Sequence, residues 1–160
     1  MPGGLHNIID DVPETIQISP FGHKSVLFQP AIEHNGTAQQ KAKWLTLAKA
    51  GKIFGTYAQT EFGHGSFVRG LETTATFDKK TDEFVVHSPT LSSTKFWPAG
   101  LGFSSTHAVV IAQLVITQRH LGPHLFIVQI RSLDDGKPLS GISMGDIGLK
   151  LGYDKRPIQA

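Results

Sequence analysis

A chain of 160 residues fits one domain of ordinary size and can bury roughly two-thirds of the surface its unfolded form exposes. Its hydrophobic share of 39%, charged share of 18% and net charge of +2 suit a globular protein and supply no basic cluster, which argues against nucleic acid as a partner. There is no cysteine, so disulfides and thiolate metal sites are excluded.

The opening "MPGGLHNIIDDVPE" has neither a basic start nor an apolar run, unlike a secretory signal. The first twenty residues read as irregular, because Pro2, Gly3, Gly4, Pro13 and Pro20 interrupt any long period. "GHKSVLFQPAIEH" (Gly22 to His34) reads as helical but bent or broken near Pro30, and Asn35-Gly36 as its stop. The clearest helix follows. Thr37 and Gln40 form the capping-box pattern, and Gly51 stands where a left-handed C-terminal cap belongs. Trp44, Leu45, Leu47 and Ala48 give this helix an apolar face, and Lys49 lies near the negative end of its dipole.

After Gly51 the period becomes strand-like. "KIFGTYAQ" is a short apolar run. "LETTATFD" and "EFVVHS", joined by "DKKTD", predict a β-hairpin over residues 71–88. "AVVIAQLVIT" and "LFIVQI" read as buried strands, and "SLDDGKPLSGI" as a turn-rich connection. The ten residues from Ala108 to Thr117 are too few to cross a bilayer, so no membrane span is expected. The expected class is α+β: a short helical segment, then about six antiparallel strands in a β-sandwich or barrel-like domain.

Several sites fail on spacing. Gly63-His64-Gly65 begins a G-x-G, but Val68 occupies the third position and a strand pattern follows instead of a helix. His120 and His124 are four apart with Gly122 and Pro123 between them, so no helix aligns them on a metal. No G-x-S-x-G elbow supports nucleophilic hydrolysis. Two clusters remain: Tyr57-Ala58-Gln59-Thr60-Glu61 with Gly63-His64-Gly65-Ser66, and "KFWPAGLG" from Lys95 to Gly102. Each reads alone as a local turn, the first satisfying its own backbone and the second closing a strand with a buried Trp. Together they also meet the needs of an isoalloxazine. Trp97 offers a flat wall. Gln59 and Thr60 can reach the ring edge. Gly65, Ser66 and Ala99 leave room for backbone N–H groups to approach.

"GTYAQTEFGHGSFVRGLETTATFD" and "SPTLSSTKFWPAGLG" resemble the middle β-domain of the acyl-CoA oxidases, the flavoenzymes of peroxisomal fatty-acid β-oxidation. "GTAQQKAKWLTLA", "HAVVIAQLVI", "HLFIVQIRSL" and "PLSGISMGDIGLKLGY" resemble the same family in the same order, over roughly residues 20–153. The related acyl-CoA dehydrogenases share part of the pattern, but "YAQTEFGHG" and "RGLETTATFD" favour the oxidase branch.

The resemblance implies residues 1–51 as the end of an N-terminal helical domain, 52–153 as an incomplete middle β-domain, and 154–160 as a divergent tail. It implies FAD as cofactor, and a fatty acyl-CoA oxidised to a trans-2-enoyl-CoA while oxygen becomes hydrogen peroxide. It also implies a homodimer, or a dimer with a full-length oxidase subunit, in the peroxisome, although the closing "IQA" is not a peroxisomal tripeptide. Carried over residue by residue, Thr60 matches the threonine at the flavin edge, and Tyr57, Ala58, Gln59, Gly65 and Ser66 match neighbouring contacts. Trp97 and Ala99 match the second motif, where the family usually has glycine at the position of Ala99. Leu149 stands where the family often has proline. The region bearing the family's catalytic glutamate is absent, and neither Glu61 nor Glu72 takes that role. The resemblance therefore implies an oxidase fragment without a catalytic residue of its own. The alternatives are a non-catalytic module that pairs with a full-length oxidase, or a dehydrogenase relative.

Overall fold

The computed structural model of the protein describes residues 22–148. The irregular first twenty residues, Leu149 and the expected divergent tail lie outside the described residues. Two helices lead, α1 (Gly22–Asn35) and α2 (Ala38–Lys49). Five strands follow: β1 (Gly55–Ala58), β2 (Thr74–Asp78), β3 (Glu83–His87), β4 (His107–Ile116) and β5 (Arg119–Gln129).

The expected break at Pro30 does not occur, and α1 runs through it to Asn35. Proline costs an interior helix about 3 kcal/mol. Phe28 and Ile32 lie on either side of it, and both are buried in one apolar cluster. Burying two such side chains is worth about 1.5–3 kcal/mol each, enough to offset that cost. Asn35 Nδ2 donates to the Ala31 carbonyl and the Gly36 amide donates to Ile32, so the helix ends where the Asn-Gly pair indicates.

In α2 the capping box is complete. Gln40 N donates to Thr37 Oγ1 at 3.2 Å, and Thr37 N donates to Gln40 Oε1 at 2.8 Å. Gly51 adopts φ +67°, the left-handed geometry expected after the helix. Trp44, Leu45, Leu47 and Ala48 pack on the cluster of Phe28, Ile32, Ile53 and Val109.

The sheet is mixed, which corrects the antiparallel expectation. β2–β3 and β4–β5 are antiparallel hairpins, whereas β1 and β2 both run parallel to β4. Alternation along a strand marks its two faces but carries no information about its partner's direction. Along β4 the alternation separates two cores. Val109 faces the helices together with Tyr57 and Ile127. Ala108, Val110 and Ala112 face away with Ala58 and Ala75, under Leu101, Ile142 and Met144. The helices thus cover one face of an α+β sheet, and irregular segments cover the other.

Gly55 fixes how closely α1 approaches β1. A Cβ placed there would lie 2.1 Å from the Phe28 ring. Gly55→Ala is therefore expected to lower stability by about 1–3 kcal/mol through overpacking, read from the midpoint of urea unfolding. Gly51→Ala, with nothing within 4 Å of its Cβ but φ +67°, tests backbone strain alone and should cost about 1 kcal/mol.

Candidate functional site

Along one edge, β4 is shared by two strands. β1 pairs with residues 107–110 and β2 with residues 113–115. Between the two ladders, the Ile111 carbonyl is taken by a side chain. Lys95 Nζ donates to Ile111 O at 2.7 Å, to Gln59 O at 3.1 Å and to Glu61 Oε1 at 3.0 Å. An ammonium has three donors, and here each meets an acceptor, two on the stretch after β1 and one on β4.

Glu61 is the other half of this junction and is 1% exposed. Its carboxylate accepts the backbone amides of Glu72 and Thr73, both at 2.9 Å, just ahead of β2. His64 Nδ1 lies 3.0 Å from Oε2 of the same carboxylate, and His64 Nε2 lies 3.6 Å from Glu72. Glu72 accepts the hydroxyls of Thr90 and Ser92. Burial would raise the Glu61 carboxyl, but the hydrogen bonds from Thr73, the Glu72 and Thr73 amides and Lys95 outweigh it and hold it at about 2. Burial pushes the Lys95 ammonium down, and the Glu61 carboxylate opposes that shift.

This junction joins the two expected clusters. The Phe96 amide donates to Thr60 O at 3.0 Å and the Phe62 amide to Thr94 O at 2.9 Å. Gln59 and Thr60 thus lie against the segment that carries Trp97. Tyr57 and Ala58 close β1, and the Tyr57 hydroxyl donates to Gln59 Oε1 at 3.1 Å. Thr60 is half-buried, and its hydroxyl has no partner among the described residues. Trp97 is 69% exposed, so the expectation of a buried Trp fails, and its ring stacks on Phe96 at 6.3 Å and 18°. Its φ of +52° is the left-handed region, an unfavourable place for a bulky residue. Such backbone is retained where the surroundings over-determine it, commonly at functional sites.

Gly65 and Ser66 follow the tight turn closed by Glu61 and His64, whose amides and carbonyls exchange two hydrogen bonds. Both are exposed, and nothing lies within 4 Å of a Cβ at Gly65. No hydrogen bond among the described residues ties either to the Trp97 segment. Ala99 is exposed on the loop beyond Trp97.

Sequence reasoning missed two buried cations. Lys95 was part of a quoted motif but had no role. Arg131 had none either, yet it is buried and donates to the carbonyls of Leu101, Gly102, Ser105 and Gly136. A lone Arg after an apolar strand carries no signal of this, because its acceptors are backbone carbonyls that any sequence has. Lys95 and Arg131 hold the two ends of the loop that bears Trp97 and Ala99.

Residues 15–54 match the acyl-coenzyme A oxidase N-terminal family. The chain is 61% identical over 126 residues to the putative peroxisomal acyl-coenzyme A oxidase 1.2 of Arabidopsis thaliana, covering 79% of this chain and 19% of that protein. Among solved structures it superposes on Arabidopsis thaliana acyl-CoA oxidase 1 with a TM-score of 0.82 and 55% identity, over 84% of this chain and 20% of that one. It also superposes on Caenorhabditis elegans acyl-CoA oxidase-2, a structure bound with FAD, ascaroside-CoA and ATP. There the TM-score is 0.80 and the identity 45%, over 82% of this chain and 20% of that one. By sequence and by fold, the matched stretch is similar to the acyl-CoA oxidases. The chain spans about a fifth of the length of these relatives.

The Glu61 shift has a fixed sign. Its folded value of about 2 lies below the ordinary 4.5, so the unfolded state takes up the proton first as pH falls. The resulting stabilisation, on the order of 3 kcal/mol, is complete above pH 4.5 and is lost as pH falls through about 2. Denaturant unfolding between pH 5 and pH 2 should fall by that amount in the native chain, and Glu61→Gln should flatten the same window.

Proposed function

We propose that this chain forms one wall of an FAD site and acts as part of a peroxisomal acyl-CoA oxidase. The observation that carries this is the juxtaposition at the sheet edge. The half-buried Thr60 hydroxyl, without a partner among the described residues, lies one backbone hydrogen bond from the segment that presents the Trp97 ring to solvent.

The residues present fit a flavin. The Trp97 indole, held in an unfavourable backbone conformation and backed by Phe96, is a flat apolar surface for a planar ring. Thr60 can donate a hydrogen bond at a ring edge. The Tyr57 hydroxyl occupies Gln59 Oε1, which leaves the Gln59 NH2 for an acceptor. Ala58 and Tyr57 fix where β1 ends. The space around Gly65 lets backbone N–H groups at Gly65 and Ser66 approach oxygen acceptors, and the Ala99 amide serves the same purpose with only a methyl group to accommodate. When bound, FAD would accept the two electrons removed as a fatty acyl-CoA becomes a trans-2-enoyl-CoA, with oxygen as the final acceptor and hydrogen peroxide as its product.

Among the described residues, neither carboxylate of the motif region is available as a base. Glu61 is saturated by donors, and Glu72 is engaged by Thr90 and Ser92. The chain alone is therefore inactive in this reading, and activity requires further sequence or a full-length oxidase partner. A dimer with such a partner is also the alternative, non-catalytic reading. The exposed Phe62, Phe67, Trp97 and Phe103 favour a covered face in either case.

Titration of the purified chain with FAD should perturb the visible flavin spectrum. Trp97→Ala should weaken that binding about tenfold or more, the scale of a lost aromatic stacking partner. Palmitoyl-CoA should give no peroxide above the free-FAD background with this chain, and peroxide with a version extended to the length of its relatives. Absence of flavin affinity in that longer version would overturn the reading.

A further inference from the structure

We propose that Lys95 is a positioning residue for the flavin face: locked to Glu61, it holds the Gln59–Thr60 edge and the Phe96–Trp97 wall in one fixed arrangement. The proposal rests on the flavin reading of this site and adds to it the group that sets the site's geometry.

The ladder from β1 to β4 closes at the Ala58–Val110 pair. Beyond it, among the described residues, the Gln59 and Thr60 carbonyls are held by two donors, Lys95 Nζ and the Phe96 amide. Both donors come from consecutive residues of one segment, and Trp97 is the next residue along. The ring edge and the ring wall are therefore not two independently folded loops. They share one attachment, and the Lys95 ammonium is its centre.

Three further observations support positioning over bulk stabilisation. A buried ion pair is a weak source of net stability, because desolvation of both charges offsets most of their attraction. The Lys95 contacts are directional instead: three donors reach three acceptors on the β1 exit, on β4 and on Glu61. Glu61 in turn accepts the amides of Glu72 and Thr73 and faces His64, so it ties the start of β2 and the turn before Gly65 to the same point. Every segment with a proposed flavin contact except the Ala99 loop thus converges on this pair. Arg131 holds the far end of that loop through Leu101 and Gly102.

The chain contains no cysteine, which permits a direct test. Lys95→Cys removes the ammonium. Alkylation of the unfolded protein with 2-bromoethylamine, followed by refolding, restores an amine at nearly the length of lysine, and position 95 carries the only thiol. Two readouts are compared at a temperature where far-UV circular dichroism matches the native chain: amide hydrogen exchange at Phe96 and around residues 59–61, and FAD affinity by titration. Lys95→Cys should speed exchange at those amides about tenfold or more, relative to the β4–β5 hairpin, and weaken FAD binding about tenfold. Aminoethylation should return both to near the native values. If Lys95→Cys does not fold, the double variant Glu61→Gln with Lys95→Met, which buries no charge at the junction, supplies the folded comparison and should show the same two losses.

Native exchange at these amides in the variant overturns the proposal. So does faster exchange with undiminished FAD affinity, or a loss of affinity that aminoethylation does not reverse. If the native chain has no FAD affinity, the same comparison is made in the version extended to the length of its relatives; absence there overturns the flavin reading, and the exchange data still decide whether Lys95 fixes the two segments.

Discussion

The structure depends on how one strand edge is shared. β4 accepts β1 along its first half and β2 along its second, both parallel to it. Two strands placed end to end leave a gap, and a gap in a buried ladder leaves backbone groups without partners. Lys95 occupies that gap by donating to Ile111 O, and Glu61 balances its charge while capping the amides that lead into β2. An apolar side chain could fill the space but could not donate to the carbonyl. A neutral donor could bond the carbonyl but would leave Glu61 unpaired at 1% exposure. The ion pair is thus a consequence of the topology, and the proposed site is arranged around it. β1 leaves the sheet where Lys95 enters, and the residues that leave are Gln59 and Thr60.

Much of the local structure was legible because its causes are local. The Thr37–Gln40 box, the left-handed Gly51 and the hairpin of β2 and β3 each depend on neighbours within a few residues. The sequence left α1 bent or broken near Pro30, and it could not show that the helix is unbroken because the compensating burial of Phe28 and Ile32 is tertiary. The β4–β5 turn was not recognised as a hairpin. Its corner residues, Thr117 and Gln118, take φ of +50° and +62° without glycine or asparagine. Strand direction was illegible for a different reason. β1 and β2 meet β4 only after long excursions, and nothing in their alternation records whether they arrive parallel or antiparallel.

The candidate site was legible as motifs but not as a mechanism of assembly. Thr60 and Trp97 stood out by residue type, and the structure brings their segments together through two backbone hydrogen bonds and the Lys95 ammonium. Ala99, Gly65 and Ser66 remain at the ends of turns, as short motifs rich in small residues suggest. Lys95 and Arg131 were invisible because their acceptors are mostly main-chain carbonyls. Sequence displays donors by residue type but gives no hint of which carbonyls a fold leaves open. Buried cations at strand ends and loop ends are therefore a class of residue that motif reading systematically overlooks.

The same accounting limits what this face can do. A general base needs a free lone pair and a proton affinity near the working pH. Glu61 has neither, since its carboxyl is held at about 2 and its oxygens are saturated. Hydrogen bonds from Thr90 and Ser92 lower the Glu72 carboxyl as well. Both carboxylates in the motif region are therefore structural acids, kept ionised to organise donors around them. What remains open to a ligand is of the opposite kind: the Thr60 hydroxyl, the exposed Trp97 ring and main-chain N–H groups. Donors and a flat ring can bind and orient an electron-accepting cofactor, but they cannot take a proton from carbon. In the proposed reading, the base would therefore have to come from a different element.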